Sequence, residues 1–224
     1  MMTPHNICFF IFPGVASYDV AGPVQALRAT GLDRYNVVLG SVTGGLVESD
    51  CPGVAFGSVP TASVIDPIDT LIIPGGNAAP EAANDPVLVQ WVGQLARRAS
   101  RVACVCTGAF FAAEAGLLTG RRAATHWRFC DELEHRFRNI KVERDPIWIR
   151  DGGIWTSAGI SAGVDLTLAL IEEDSGHRGR TSGGAGVGRF LQAARRAITI
   201  QHLTLGPNCR RQRPTARFAR LDRR

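Results

Sequence analysis

No stretch of this 224-residue chain approaches the ~20 consecutive apolar residues that a membrane-crossing helix needs. The apolar run nearest the N-terminus, Cys8 to Phe12, is five residues long with no basic segment before it, so it does not read as a signal peptide. A cytoplasmic protein with no membrane attachment is expected. The six cysteines (Cys8, Cys51, Cys104, Cys106, Cys130, Cys209) lack the spacing of a disulfide framework and read as free thiols of a reducing compartment. Cys104 and Cys106 form a C-x-C pair, but neither C-x-x-C nor H-x-x-x-H accompanies it, so no metal site is expected. Gly183, Gly184, Gly186 and Gly188 spell neither a P-loop nor G-x-G-x-x-G, since Arg189 stands where the last glycine belongs. No cofactor is implied.

Acidic residues are nearly missing from one end. Residues 1–174 hold 13 Lys and Arg against 19 Asp and Glu, a net of −6. Residues 175–224 hold 12 Arg and a single acid, Asp222, a net of +11. The chain's overall charge of +5 therefore averages two unlike pieces, a domain over 1–174 and a basic Arg/Gly-rich tail over 175–224. A basic tail attracts nucleic acid or an anionic surface without selectivity. Its only aromatics are Phe190 and Phe218, so it offers no stacking platform. Its composition reads as a disordered or frame-shifted segment. One weak helical stretch places Phe190, Leu191, Ala194, Ala197 and Ile198 on one face, opposite Arg195 and Arg196.

What is present is an alternation of short apolar runs with helical patterns. Asn6–Phe12, Tyr35–Leu39, Asp69–Ile73 and Arg101–Val105 read as buried strands, continuous rather than alternating. Ala123–Thr125 reads as a fifth short strand, Gly44–Phe56 as a small hairpin or an irregular excursion, and Asp151-Gly152 as the turn of a hairpin between Ile147 and Ser157. Helices are expected from Ser17 with Pro23 in the early turns, over Pro86–Ala99, Ala109–Ala115 and Arg128–Phe137, and from Ser161 to Ile171. This order argues an α/β domain with a mainly parallel central sheet, whose ligands sit at the carboxyl ends of the strands. Asp19, the Gly75-Gly76 pair, Cys106 and His126 each follow a strand and fall on that one edge.

The stretch Arg101–Trp127 carries the chemistry. Cys106 stands between a strand and a helix N-terminus, the position of a nucleophile elbow. Backbone N–H groups and the helix dipole there favour an anion, so a lowered thiol pKa is expected. A buried structural cysteine is the competing reading. His126 reads equally as a proton carrier or as a turn cap, and Asp19 as a facing acid or a helix-start residue. Asp19 and Cys106 cannot both ionise cheaply if they face each other. Gly159-Ile160-Ser161-Ala162-Gly163 also fits the serine-hydrolase pattern G-x-S-x-G. Only His177 and His202 follow it, in the basic tail, so Ser161 reads as a helix cap.

Val105-Cys106-Thr107-Gly108-Ala109 with AEAGLLTGRRAATHW, Asp19-Val20-Ala21-Gly22-Pro23, the IIPGG ending at Gly76 and WTSAGISAGVDLTLALIEED from Trp155 together resemble the ThiJ/PfpI superfamily, relatives of class I glutamine amidotransferases. The nearest likeness is to the amidase-like N-terminal domain of AraC-type regulators, over roughly residues 5–174. The resemblance implies a flavodoxin-like sandwich, a homodimer, and a site with Cys106, Asp19 and His126 in the reactive roles and backbone donors at Gly75, Gly76 and Thr107. It implies a pocket that senses a small molecule, normally followed by two helix-turn-helix units. Residues 175–224 do not spell those units, so DNA is a partner only where such a domain is restored. Isocyanide hydratases of the same superfamily share the Cys-Thr and Asp-x-x-Gly-Pro patterns, so a cysteine-dependent hydratase or amidase is the alternative. A thiol stress sensor is a third reading.

Overall fold

The structure, a computed structural model, describes residues 4–31, 34–64, 66–159 and 161–178. The glycine cluster at 183–188, the helical stretch Phe190–Ile198 and His202 lie outside the described residues.

Eight strands form one sheet. In chain order they are β1 (His5–Phe10), β2 (Tyr35–Ser41), β3 (Gly45–Glu48), β4 (Ala55–Pro60), β5 (Ile68–Ile73), β6 (Ala99–Cys104), then β9 (Trp148–Asp151) and β10 (Ile154–Ser157). Their spatial order is β3-β4-β2-β1-β5-β6-β10-β9. From β4 to β10 every neighbour is parallel; only the two edge hairpins, β3 on β4 and β9 on β10, are antiparallel. The parallel core β2-β1-β5-β6-β10 has the 2-1-3-4-5 winding of flavodoxin-like folds. The winding reverses between β1 and β5, the point at the carboxyl edge where such sheets place a ligand. The central strands are buried on both faces, which is why Cys8–Phe12, Leu71–Ile73 and Val102–Val105 read as unbroken apolar runs.

The helices are α1 (Ser17–Arg28), α2 (Ala79–Ala82), α3 (Pro86–Arg98), α4 (Ala109–Glu114), α5 (Cys130–Arg136) and α6 (Ser161–Arg178). α1 packs on α6, and α3 on α4. Right-handed crossovers running in opposite directions from the β1/β5 switch put these two pairs on opposite faces of the sheet. Phe111 of α4 meets Phe12 at 4.8 Å and Phe10 edge-on at 5.9 Å between ring centroids, so the helix behind the elbow is keyed into β1. α3 starts as its sequence suggests: Asp85 caps it by accepting the Val87 N–H at 2.8 Å, and Pro86 fills its first position.

Two elements differ from the sequence reading. The strand expected at Ala123–Thr125 is a two-residue strand, β7 (Arg122–Ala123), which pairs with β8 (Lys141–Val142) in a separate ladder outside the main sheet. Ala124 then leaves the ladder because its N–H donates to the Thr156 hydroxyl at 2.8 Å. α6 runs past Ile171 to Arg178 because polar partners at the sheet's amino edge hold its last turns. Arg101 donates to Glu173 at 2.9 Å and to Asp174 at 2.8 Å, and the Tyr35 hydroxyl donates to Asp174 at 3.0 Å. Ser161 begins α6 and so sits in its first turn.

Candidate functional site

Cys106 is the one non-glycine residue with positive φ, +57°, among the described residues. Such a conformation costs on the order of 1–2 kcal/mol and persists only where surrounding contacts hold it. Here β6 ends at Cys104, and the Val105 N–H donates to the Ile73 carbonyl at 2.9 Å, fixing the strand before the turn. Gly108 lies against the same carbonyl, and a Cβ there would stand 2.1 Å from it. A Cβ on Gly75 would stand 2.6 Å from the Thr107 nitrogen. Both glycines are therefore required by close approach of two backbones. Residues Cys106–Gly108 form a single 3-10 turn that leads into α4.

Asp19, from the first turn of α1, is 2% exposed and accepts the Gly75 N–H at 3.1 Å. The Cys106 thiol stands close enough to this carboxyl for the two groups to perturb each other's titration. The Thr107 hydroxyl donates to the Gly76 carbonyl at 2.7 Å and accepts the Gly76 N–H at 2.9 Å. It lies 3.9 Å from Cys106 Sγ, and its single proton is committed to Gly76. Asp19, Gly75, Gly76, Cys106 and Thr107 thus converge at the switch point, tied to one another by short bonds.

Two chemical expectations change. Backbone donors were expected at Gly75 and Gly76 for a ligand's developing charge, yet both N–H groups are engaged inside the site, by Asp19 and by the Thr107 hydroxyl. The Thr107 N–H acts to lower the Cys106 thiol pKa, against the larger effect of burial. The lowered thiol pKa does not arise either: burial pushes Cys106 up to about 12, with the Asp19 carboxylate adding to the rise. α4 has six residues, and its dipole together with the Thr107 N–H is outweighed in a site where Cys106 is 8% exposed. Burial raises Asp19 to about 6, against the lowering effect of the Gly75 N–H and the thiol. Near neutral pH the pair is a protonated thiol beside a carboxylate. Asp19 can take the thiol proton as Cys106 Sγ attacks an electrophile, so no thiolate need exist beforehand.

His126 stands apart from that pair. Its Nδ1 accepts the Arg128 N–H at 3.3 Å, capping the following turn, and burial with the Arg128 charge lowers its pKa. Its ring packs on Gly159, where a Cβ would stand 2.1 Å from Cδ2. No hydrogen bond joins it to Cys106 among the described residues. The residue that does reach the elbow from this segment is Thr125, whose hydroxyl donates to the Cys106 carbonyl at 3.0 Å. In the sequence it stands directly before His126, at the end of the AEAGLLTGRRAATHW segment. The five described cysteines are free, and Cys51 is the exposed one, its sulfur accepting the Ser17 hydroxyl at 3.2 Å. Among the described residues no group of His, Cys, Asp and Glu could hold a metal ion, and no helix is long and apolar enough to cross a membrane.

A cavity of about 380 Å³ opens at the opposite, amino edge, between Asp69, Arg101, Trp155 and Asp174. Its charged walls pair with one another: Arg101 with Glu173 and Asp174, and Arg150 with Glu173 at 2.6 Å while lying over the Trp155 ring. The chemistry-bearing residues are at the carboxyl edge, where the winding of the sheet places a ligand.

Strand winding and elbow together define the class. The chain belongs to the DJ-1/PfpI family, whose signature matches residues 5–173. The HTH-type transcriptional regulator Rv1931c of Mycobacterium tuberculosis is 55% identical, with 62% of this chain and 70% of that protein covered. The isonitrile hydratase of Pseudomonas putida is 32% identical, over 75% of this chain and 71% of its own length. The HTH-type transcriptional regulator CdhR of Pseudomonas aeruginosa is 33% identical over 75% of this chain, which spans only 50% of that regulator. Among solved structures, a ThiJ/PfpI family protein from Pseudomonas syringae superposes with a TM-score of 0.68 at 27% identity, covering 77% of this chain and 69% of that one.

Proposed function

We propose that this domain is the small-molecule-sensing part of an AraC-type transcriptional regulator, with the Cys106–Asp19 crevice as its ligand contact. The observation that carries the reading is the state of the site. The Gly75 and Gly76 donors that could stabilise a reaction's oxyanion are engaged internally, and the Cys106 thiol is held protonated. Such a pocket is built to hold a ligand against a fixed polar floor. The regulators among its relatives carry this domain in about half of their length, which supports the same reading. We place the domain in residues 1–174, working as a cytoplasmic homodimer, and DNA recognition in a helix-turn-helix domain that residues 175–224 do not spell. A metabolite library screened by thermal melting is the test. A ligand present at ~100 times its Kd adds about 2.7 kcal/mol of stability. That gain is expected to disappear in Cys106→Ala or Asp19→Ala. A library that stabilises neither the native chain nor the variants, at concentrations up to millimolar, defeats the sensing reading.

A second reading rests on the carboxyl of Asp19 lying beside the Cys106 thiol, close enough to perturb it, and on the isonitrile hydratase relative. In that case Asp19 takes the proton from Cys106 as the sulfur adds to the isonitrile carbon and returns it to that carbon, giving a thioimidate; water then adds to this carbon and the C–S bond breaks, releasing a formamide and the Cys106 thiol. Formamide produced from an isonitrile by the native chain, and not by Cys106→Ala, selects this reading over sensing.

A further inference from the structure

We propose that Asp50, from the turn between β3 and β4, is the positioning residue of the pocket's acid: it caps α1 from outside, which leaves the Asp19 carboxyl to the site. The first N–H groups of a helix have no partner within it, and an acid at the third helical position commonly folds back onto the cap residue's N–H. α1 has no cap of its own: Ala16 stands at that position and offers no side-chain acceptor. The acid at the third position is Asp19. The Ser17 N–H is taken instead by Asp50 Oδ1 at 2.8 Å, from 33 residues further along the chain. A carboxylate at a helix start is also favoured by the dipole. The Ala16 N–H, where a back-folded Asp19 would bind, donates to the Gly75 carbonyl at 2.8 Å. Asp19 Oδ2 then accepts the Gly75 N–H at 3.1 Å, so the start of α1 grips both backbone polar groups of Gly75. The turn that carries Asp50 is braced for this. Its own N–H donates to the Val15 carbonyl at 2.9 Å, and the Gly14 N–H to the Glu48 carbonyl at 2.9 Å. The Cys51 N–H donates to the Ser49 hydroxyl at 3.1 Å. A hairpin at the edge of the sheet therefore sets where the pocket's acid stands.

The inference rests on the reading that Asp19 belongs to the pocket, but its test needs no ligand. The Gly75 N–H is bound to the Asp19 carboxyl, so its amide proton shift reports that bond as the carboxyl titrates. The shift is followed by NMR in the 15N-labelled full chain from about pH 3 to pH 8, across the carboxyl range. Asp19→Asn assigns the step, which is expected to vanish in that variant. Asp50→Ala removes the cap and, because Asp50 is exposed, opens no cavity. The Gly75 step is expected to shrink by about twofold or more, since the loss of one cap shifts the balance towards a back-folded Asp19 by about fivefold. Asp50→Asn keeps an acceptor for the Ser17 N–H and is expected to return the step to within about a quarter of its native size. Should the alanine variant not fold, Asp50→Leu, of similar reach and without an acceptor, carries the same expectation. A Gly75 step of native size in Asp50→Ala or Asp50→Leu overturns the proposal. So does an Asp50→Asn step as small as that of Asp50→Ala, or a native step that survives Asp19→Asn. A general loss of stability leaves the amplitude in the folded chain unchanged, so it does not imitate the expected result. A chain that binds no metabolite still gives these shifts, so the sensing reading and the positioning role fail separately.

Discussion

Asp19 and Cys106 hold one proton between them, and that sharing has a measurable cost. Asp19 titrates near 3.9 in an unfolded chain and at about 6 in the fold. Between those values the folded chain binds more protons than the unfolded one, so this carboxyl's stabilising effect is complete below about pH 4 and is lost as pH rises through 6. A displacement of about two units corresponds to about 3 kcal/mol at most. Asp19→Asn keeps the acceptor for the Gly75 N–H and removes the titration. Its stability relative to the native chain is expected to rise by roughly 1–3 kcal/mol between pH 4 and 6.5, as read from urea denaturation across that range. A constant difference would show that Asp19 titrates as an ordinary surface acid. At this scale the sequence was informative about identity and silent about protonation. The elbow motif pointed to Cys106 and the segment after β1 to Asp19, because local patterns record them. The rise in the thiol's pKa depends on how three separate loops close over it, which no local pattern records. Thr125 was hidden for the same reason: its partner is 19 residues earlier in the chain.

Among the elements, the central strands were legible because both of their faces are buried, so Cys8–Phe12 and Val102–Val105 carry no alternation to confuse them. The hairpin of β9 and β10 was legible from its Asp151-Gly152 turn, whereas Gly44–Phe56 left a hairpin and an irregular excursion both open and stopped short of Pro60, where β4 ends. That β4 lies parallel to β2, and that β7 leaves the main sheet for β8, was not legible, since pairing between distant segments is decided by tertiary packing. The last turns of α6 were also missed, because what holds them is a set of ion pairs to a strand 72 or 73 residues away. Arg101 is 13% exposed and Asp174 5%, so removing the guanidinium leaves a carboxylate uncompensated in a dry site. Arg101→Met is expected to cost about 3 kcal/mol in denaturant titrations. A loss below about 1 kcal/mol, the scale of a surface pair, would mean that the cluster is hydrated.

For the molecule as a whole, the buried apolar side chains of the described residues run from Ile7 to Ile171. The net charge of residues 1–174 is −6, opposite in sign to the +11 that follows. A core whose described side chains all lie between Ile7 and Ile171 leads to a plain expectation. A chain ending at residue 178 should melt cooperatively, with its midpoint within about 4 °C of the full chain, the scale of a 1 kcal/mol change in a domain of this size. Calorimetry checks it, and a drop beyond about 8 °C would assign residues 179–224 a share in the fold.

α6 has 18 residues and is therefore about 27 Å long. It begins two residues after Gly159, the residue pressed against the His126 ring, and its far end is fastened at Asp174 to Arg101 and Tyr35. In mechanical terms it is a strut with one foot at each edge of the sheet. A helix is stiff along its axis, so a shift imposed at the pocket foot is not absorbed along the way; it reappears as tilt at the other foot, where the chain runs on into the basic segment. The Arg101 clamp, with its bonds to Glu173 and Asp174, fixes the point about which that far foot can turn.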